Sequence, residues 1–318
     1  WQLGNSQQPL SAKEGHIMSR SLCSLIRTNL ALWGKTSAAL LLTFGLLPVT
    51  ALAEMLYVGD WATHAIWKVA PDGSKEVFAT GLTPYGMGFN RGGDLFVASG
   101  AGITKFTLCC VATPFAVDDG ALDVACDSQG NVYEANATTG TVYRYTPGGV
   151  QSVFTSAVDR PNAVVVDTND NVFVIDQGTA TIYKITSGGN QSVFVSDPGL
   201  GHLEGGAFDS QGNLFVVDNI GQNIWKITPE GIVSRDRGGA FGLWNIAIDR
   251  DGSLYLANHS TGLLKWGNTG RPQVFSTGIS EPADLAFSPI PEPSTLVLLG
   301  AAAVGLLGYK WRRRHIEA

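Results

Sequence analysis

Four side chains with oxygen donors, Asn162, Glu204, Asn245 and Asp284, follow one another at intervals of 42, 41 and 39 residues. Carboxylate and amide oxygens are the ligands that hard divalent cations such as Ca²⁺ and Mg²⁺ take, several converging at about 2.1–2.6 Å. Tyr85 and Asp123 continue the series towards the N-terminus, and His202 and His259 lie in the same segments. Carboxylates held close together repel unless a cation or a proton lies between them. The set is therefore a candidate metal site through Glu204, Asn245, Asp284 and Asn162, and equally a polar lining that holds water.

Such spacing needs a repeating scaffold. The apolar pairs that begin at Leu56, Leu95, Val132, Val172, Leu214 and Leu254 step by 39, 37, 40, 42 and 40 residues. A period near forty signals a propeller or a solenoid. Each unit carries four short β-patterned runs, here called A to D. Blade four has Ala163-Val-Val-Val166, Val172-Phe-Val-Ile175, Thr181-Ile-Tyr-Lys-Ile185 and Gln191-Ser-Val-Phe-Val195. Turn sequences such as Asp127-Ser-Gln-Gly-Asn131 and Gly188-Gly189 separate them. Four antiparallel strands at this period make a blade. Run A also occurs six times, but its last copy, near Leu285-Phe287, has nothing after it, while the first unit lacks its own. The two partial units complement each other, which predicts an all-β, six-bladed propeller over residues 54–290, closed by the C-terminal strand.

In this fold, runs A line the central channel, and the start of A shares a face with the end of B. Tyr85, Asp123, Asn162, Glu204, Asn245 and Asp284 are then one channel-mouth residue per blade, with Asp123, Asn245 and Asp284 one position later in their repeats. Together with His202 and His259 they form the predicted ligand-binding face. His64 belongs to the same face. Asp60, Ser99, Asn136, Asp176, Asp218 and Asn258 end the B runs, and their types predict caps of the B-to-C turns.

Asp167-x-Asn169-x-Asn171 imitates the start of a calcium loop but lacks its Gly and distant Glu, and it coincides with a repeat turn. The sequons at Asn136, Asn190 and Asn258 read as surface loops. Gly-x-Ser-x-Gly, His-Glu-x-x-His, a phosphate-binding Gly-rich loop and Cys-x-x-Cys do not occur, so the usual signatures of hydrolase, zinc protease, nucleotide and redox chemistry are missing. Residues 54–290 hold 13 Lys and Arg against 24 Asp and Glu, a net charge of −11. That balance repels nucleic acid.

The two ends differ from this uniform middle. Residues 1–17 read as a gene-calling artefact, with Met18 as the start. Residues 18–53 read as a signal peptide, with Arg20, Arg27 and Lys35 before an apolar stretch and Ala51-Leu52-Ala53 before Glu54. Export leaves Cys109, Cys110 and Cys126 in an oxidising compartment, where one disulfide is open to them. At the C-terminus, Pro291-Glu292-Pro293 precedes an apolar segment and a cluster of Lys310, Arg312, Arg313 and Arg314. That order resembles the PEP-CTERM sorting signal over residues 291–318. The resemblance implies a transient transmembrane helix in the inner membrane, processing by an exosortase, and a place in the periplasm, on the outer surface or in the extracellular matrix of a Gram-negative bacterium.

The repeat itself, as in Pro161-Asn-Ala-Val-Val-Val-Asp167 with Asn171-Val-Phe-Val174, resembles NHL-type repeats. Glu204-Gly205 with Asn245 and Asp284 resembles the metal set of gluconolactonase-like propellers, where a divalent cation polarises a lactone carbonyl. His202 beside Glu204 resembles the site of streptogramin B lyase-like propellers, although the His-rich segment of that family is absent. With no strong catalytic motif, the expected function is a binding or scaffold module with a polysaccharide or protein ligand. The alternative is a metal-dependent lactonase or lyase at the channel mouth.

Overall fold

The computed structural model describes residues 54–289 except Leu108, Cys109, Ala240, Asn268 and Thr269. The predicted signal helix, the C-terminal transmembrane helix and Cys109 lie outside the described residues. Among the described residues, no helix is long and apolar enough to cross a membrane, and Cys110 and Cys126 are not joined to each other.

Twenty-four strands, numbered in chain order among the described residues, form six four-stranded antiparallel sheets. The innermost strands are β24 (Pro282–Phe287), β4 (Gly86–Phe89), β8 (Ala121–Cys126), β12 (Pro161–Val166), β16 (Leu203–Phe208) and β20 (Leu243–Ile248), and each packs on the next in a closed cycle. The sequence predicted this six-bladed ring. Its closure is also as expected: β24 pairs with β1 (Leu56–Asp60), Val58 opposite Leu285 and Leu56 opposite Phe287. No inner sheet edge is left open at the seam.

The second strand of each blade is buried without alternation because both of its faces are covered, and apolar before its last residue except at Glu134 of blade three, which accepts from Tyr145 and Asn136. In β13 (Val172–Asp176), Phe173 and Ile175 join the core shared with blade five, while Val172 and Val174 join the core shared with blade three. Six such clusters fill the six gaps between blades.

At the far face, the hairpin turns are tied by their own carboxylates. Asp167 accepts from the N–H groups of Asn169 and Asn171, both at 2.8 Å, and from the Asn171 amide at 2.7 Å. The calcium-like triplet is thus a hairpin turn. Equivalent bonds hold the turns at Asp127, Asp209 and Asp249.

At the opposite face, a register shift opens the head of the inner strands of blades one and three to six. One residue there has no partner across the ladder in four blades, Leu122, Asn162, Trp244 and Ala283, and two, Glu204 and Gly205, stand opposite one in blade five. Bulges of this kind re-aim side chains. Here they present a row to the channel mouth.

Candidate binding face at the channel mouth

The predicted turn caps are what hold this face in place. All but Ser99 are buried and reach across to the chain entering the inner strand of their own blade, so the sequon residues Asn136 and Asn258 are interior rather than surface positions. Ser99 is half-buried and donates to the Gly102 carbonyl at 3.1 Å within its turn. Asp218 accepts from the N–H of His202 at 3.0 Å and of Gly221 at 2.9 Å. Asp176 accepts from the N–H groups of Asp159 and Arg160 at 2.9 Å, just before Asn162. Asn258 donates to the Phe241 carbonyl at 2.5 Å, just before Trp244. Asp60 accepts from the N–H groups of Ser280 and Glu281 at 3.2 Å. Burial opposes its charge, but these bonds and those from Thr63 and Trp67 hold its carboxyl below the usual range.

Two tiers result. The upper tier is a cavity of about 60 Å³ lined by Tyr85, Asn162, Glu204 and Trp244, with Asp123 and Asn245 at its floor. Glu204 accepts from the Asn162 amide at 2.7 Å, and its other oxygen lies 3.0 Å from His202 Nδ1. Burial raises the Glu204 carboxyl, opposed by Asn162, His202 and Asn219. Gln177 contacts His202 Nδ1 and donates to the Leu203 carbonyl, both at 3.2 Å, leaving its own buried carbonyl oxygen without a partner.

The lower tier opens towards the far face as a cavity of about 320 Å³, with Asp123, Asn245 and Asp284 at its ceiling. Asp284 accepts from the Asn245 amide and from the Met87 N–H of the next blade. Asp123 accepts from Val124 at 2.8 Å and from Val164 of the next blade at 2.9 Å. A side chain at Gly86 would overlap Asp123, and one at Gly205 would overlap Asn245. Glycine at these two places is what lets polar side chains lie flat across the axis. Burial pushes Asp123 up to about 7, and burial with the neighbouring Asp123 charge pushes Asp284 well up.

Glu204 and Asp284 therefore line different cavities, and the four candidate metal ligands form two separate hydrogen-bonded pairs. The Asn245 carbonyl is also engaged, by the Ile246 N–H at 2.6 Å. Among the described residues, no three His, Cys, Asp or Glu gather as a metal cluster. As arranged, this donor set does not fit a divalent cation.

An aromatic rim borders the upper cavity, built from Tyr85 and His259 of the predicted face and from two tryptophans, Trp61 and Trp244, absent from the sequence expectations. Trp61 lies 6.2 Å from Tyr85 and 6.4 Å from Trp244, ring centre to ring centre, and Trp244 stacks on His259 at 5.5 Å. Trp61 is 37 % exposed. The rim crosses blades six, one and two; Asn162, Glu204, His202 and Gln177 face it from blades four and five. His64 stands apart, 2.9 Å from Thr83.

A family profile described as the SMP-30/Gluconolactonase/LRE-like region matches residues 48–236, and one described as the PEP-CTERM protein-sorting motif matches residues 289–314. No curated protein matches the sequence significantly. Solved structures of similar shape include a nidogen/laminin complex (TM-score 0.66, 14 % identity, 74 % of this chain and 98 % of that one). An inactive virginiamycin B lyase from Staphylococcus aureus with quinupristin gives a TM-score of 0.57 at 14 % identity, covering 76 % of this chain and 95 % of that one. An auxiliary nutrient binding protein from Bacteroides ovatus gives 0.59 at 16 % identity, covering 71 % and 68 %. At these identities the likeness is one of fold.

Proposed function

The chain belongs to the SMP-30/Gluconolactonase/LRE-like family, and from that footing we propose that it is an exported binding module that takes its ligand at the channel mouth and is sorted through its PEP-CTERM tail by an exosortase. The observation that carries this reading is the pairing of an aromatic rim with a polar wall around a very small cavity. A space of about 60 Å³ falls well short of the ~300 Å³ at which pockets begin to engulf a small molecule. Ligand is held against the rim rather than swallowed by the channel. Ser288 donates to the Met55 carbonyl at 2.9 Å, so both ends of the propeller leave from the far face. A tether there keeps the mouth clear.

A catalytic reading has one observation in its favour: Glu204, buried and raised, touches His202, an arrangement suited to proton transfer. Both readings meet in one experiment. The purified full chain is assayed for binding to the outer surface of its own tail-deleted cells and for lactone hydrolysis, beside Trp244→Ala and Glu204→Ala. The binding reading expects retention that falls at least tenfold in Trp244→Ala, with no turnover. Retention unchanged in both variants would reject the mouth as the site, and turnover lost only in Glu204→Ala would establish the enzyme.

A further inference from the structure

The rim has a geometry that selects a class of ligand. Trp61, Tyr85 and Trp244 lie side by side, with 45° between the planes of Trp61 and Tyr85 and 31° between those of Trp61 and Trp244. Rings set this way form a shallow platform rather than a cage. Indole and phenol rings offer large rigid faces at little conformational cost, and a platform suits a flat ligand with C–H groups on its faces.

Across the mouth, the groups within reach are suited to hydroxyls. Glu204 accepts, Asn162 carries both an amide donor and a carbonyl, and His202, held from behind by Gln177, adds a ring nitrogen. The net charge of −11 over residues 54–290, together with Glu204 and Glu281 on this face, disfavours a polyanion. A neutral pyranose has apolar faces and hydroxyl edges and meets both halves of the mouth.

We propose that the mouth binds a neutral oligosaccharide, one ring stacked on Trp61 and Trp244 and its hydroxyls directed to Asn162, Glu204 and His202. The cavity below the platform, about 60 Å³, admits a hydroxymethyl group or water but no whole ring. The assignment rests on the binding reading above and names its ligand.

Tryptophan emission and calorimetry on the full chain in detergent test it, with cellohexaose, laminarihexaose and mannohexaose as neutral probes and a galacturonate hexamer as the charged one. At least one neutral probe should shift the emission and bind at least tenfold more tightly than the galacturonate. Trp61→Ala, at an exposed position that spares the core, should weaken that binding tenfold or more, and Trp61→Phe should recover part of it. If no neutral probe binds while cell-surface retention still depends on Trp244, the ligand class is wrong and the binding reading stands. If retention is also lost as a property of the mouth, both fall.

Discussion

Of the eight residues singled out in the sequence, the two inner aspartates are explained most fully by their bonds. Asp123 and Asp284 each cap a backbone N–H in the inner strand of the following blade, and both are buried. A carboxyl raised on folding binds a proton more readily in the folded chain than in the unfolded one, so its contribution declines as pH climbs between the two values. For Asp123 these are 3.8 and about 7. Glu204, Glu134 and Asp284 are shifted in the same direction, whereas Asp60, Asp72 and Asp170 are lowered and act only below about pH 4. Stability should therefore fall between pH 4 and pH 7, by on the order of a few kcal/mol. Urea unfolding at pH 5 and pH 8 checks this, and Asp123→Asn should flatten the profile; a stability that rises over this range would show that both aspartates stay ionised.

The working element is the cap that ties the second strand's end to the entry of the first. Asp218→Ala leaves the N–H groups of His202 and Gly221 without their acceptor, a loss of about 1–3 kcal/mol. In a domain this size that is a melting point lower by roughly 2–10 °C. Asp209→Ala removes a similar pair of bonds on the far face. It should cost comparable stability while leaving mouth binding intact, whereas Asp218→Ala should impair both; equal effects on binding would mean the cap does not position the site. At this scale the fold was legible. Repeat length, the two partial units and the unalternating apolar second strands all follow from blades packed on both faces. The site was legible only in part. The sequence showed Asn245 and Asp284 one position later than Glu204, but one residue along a strand is about 3.3 Å and the opposite side. That offset separates two tiers, where the sequence reading had joined them into one metal site. Trp244 escaped notice because the bulge, not the strand's alternation, turns it to the mouth. Trp61 could have been found one place after the cap Asp60, in the row that also holds Gln177 and His259.

For the whole molecule, the closed ring creates two unlike faces. The far face consists of hairpin turns satisfied by their own side chains, and both chain ends leave there. The mouth carries the rim, the buried Glu204 and the unanswered Gln177 carbonyl. The PEP-CTERM motif begins at the last described residue, Pro289, so the proposed sorting and the proposed binding fall on opposite sides of the disc. Hydrogen–deuterium exchange of the full chain, with and without the cell-surface fraction of the bacterium that makes it, tests this division most directly. Slower exchange confined to the mouth segments around residues 61–64, 83–86, 202–205 and 241–245 is the predicted result. Protection centred instead on the far turns, around residues 127–131, 167–171 and 209–213, would contradict it.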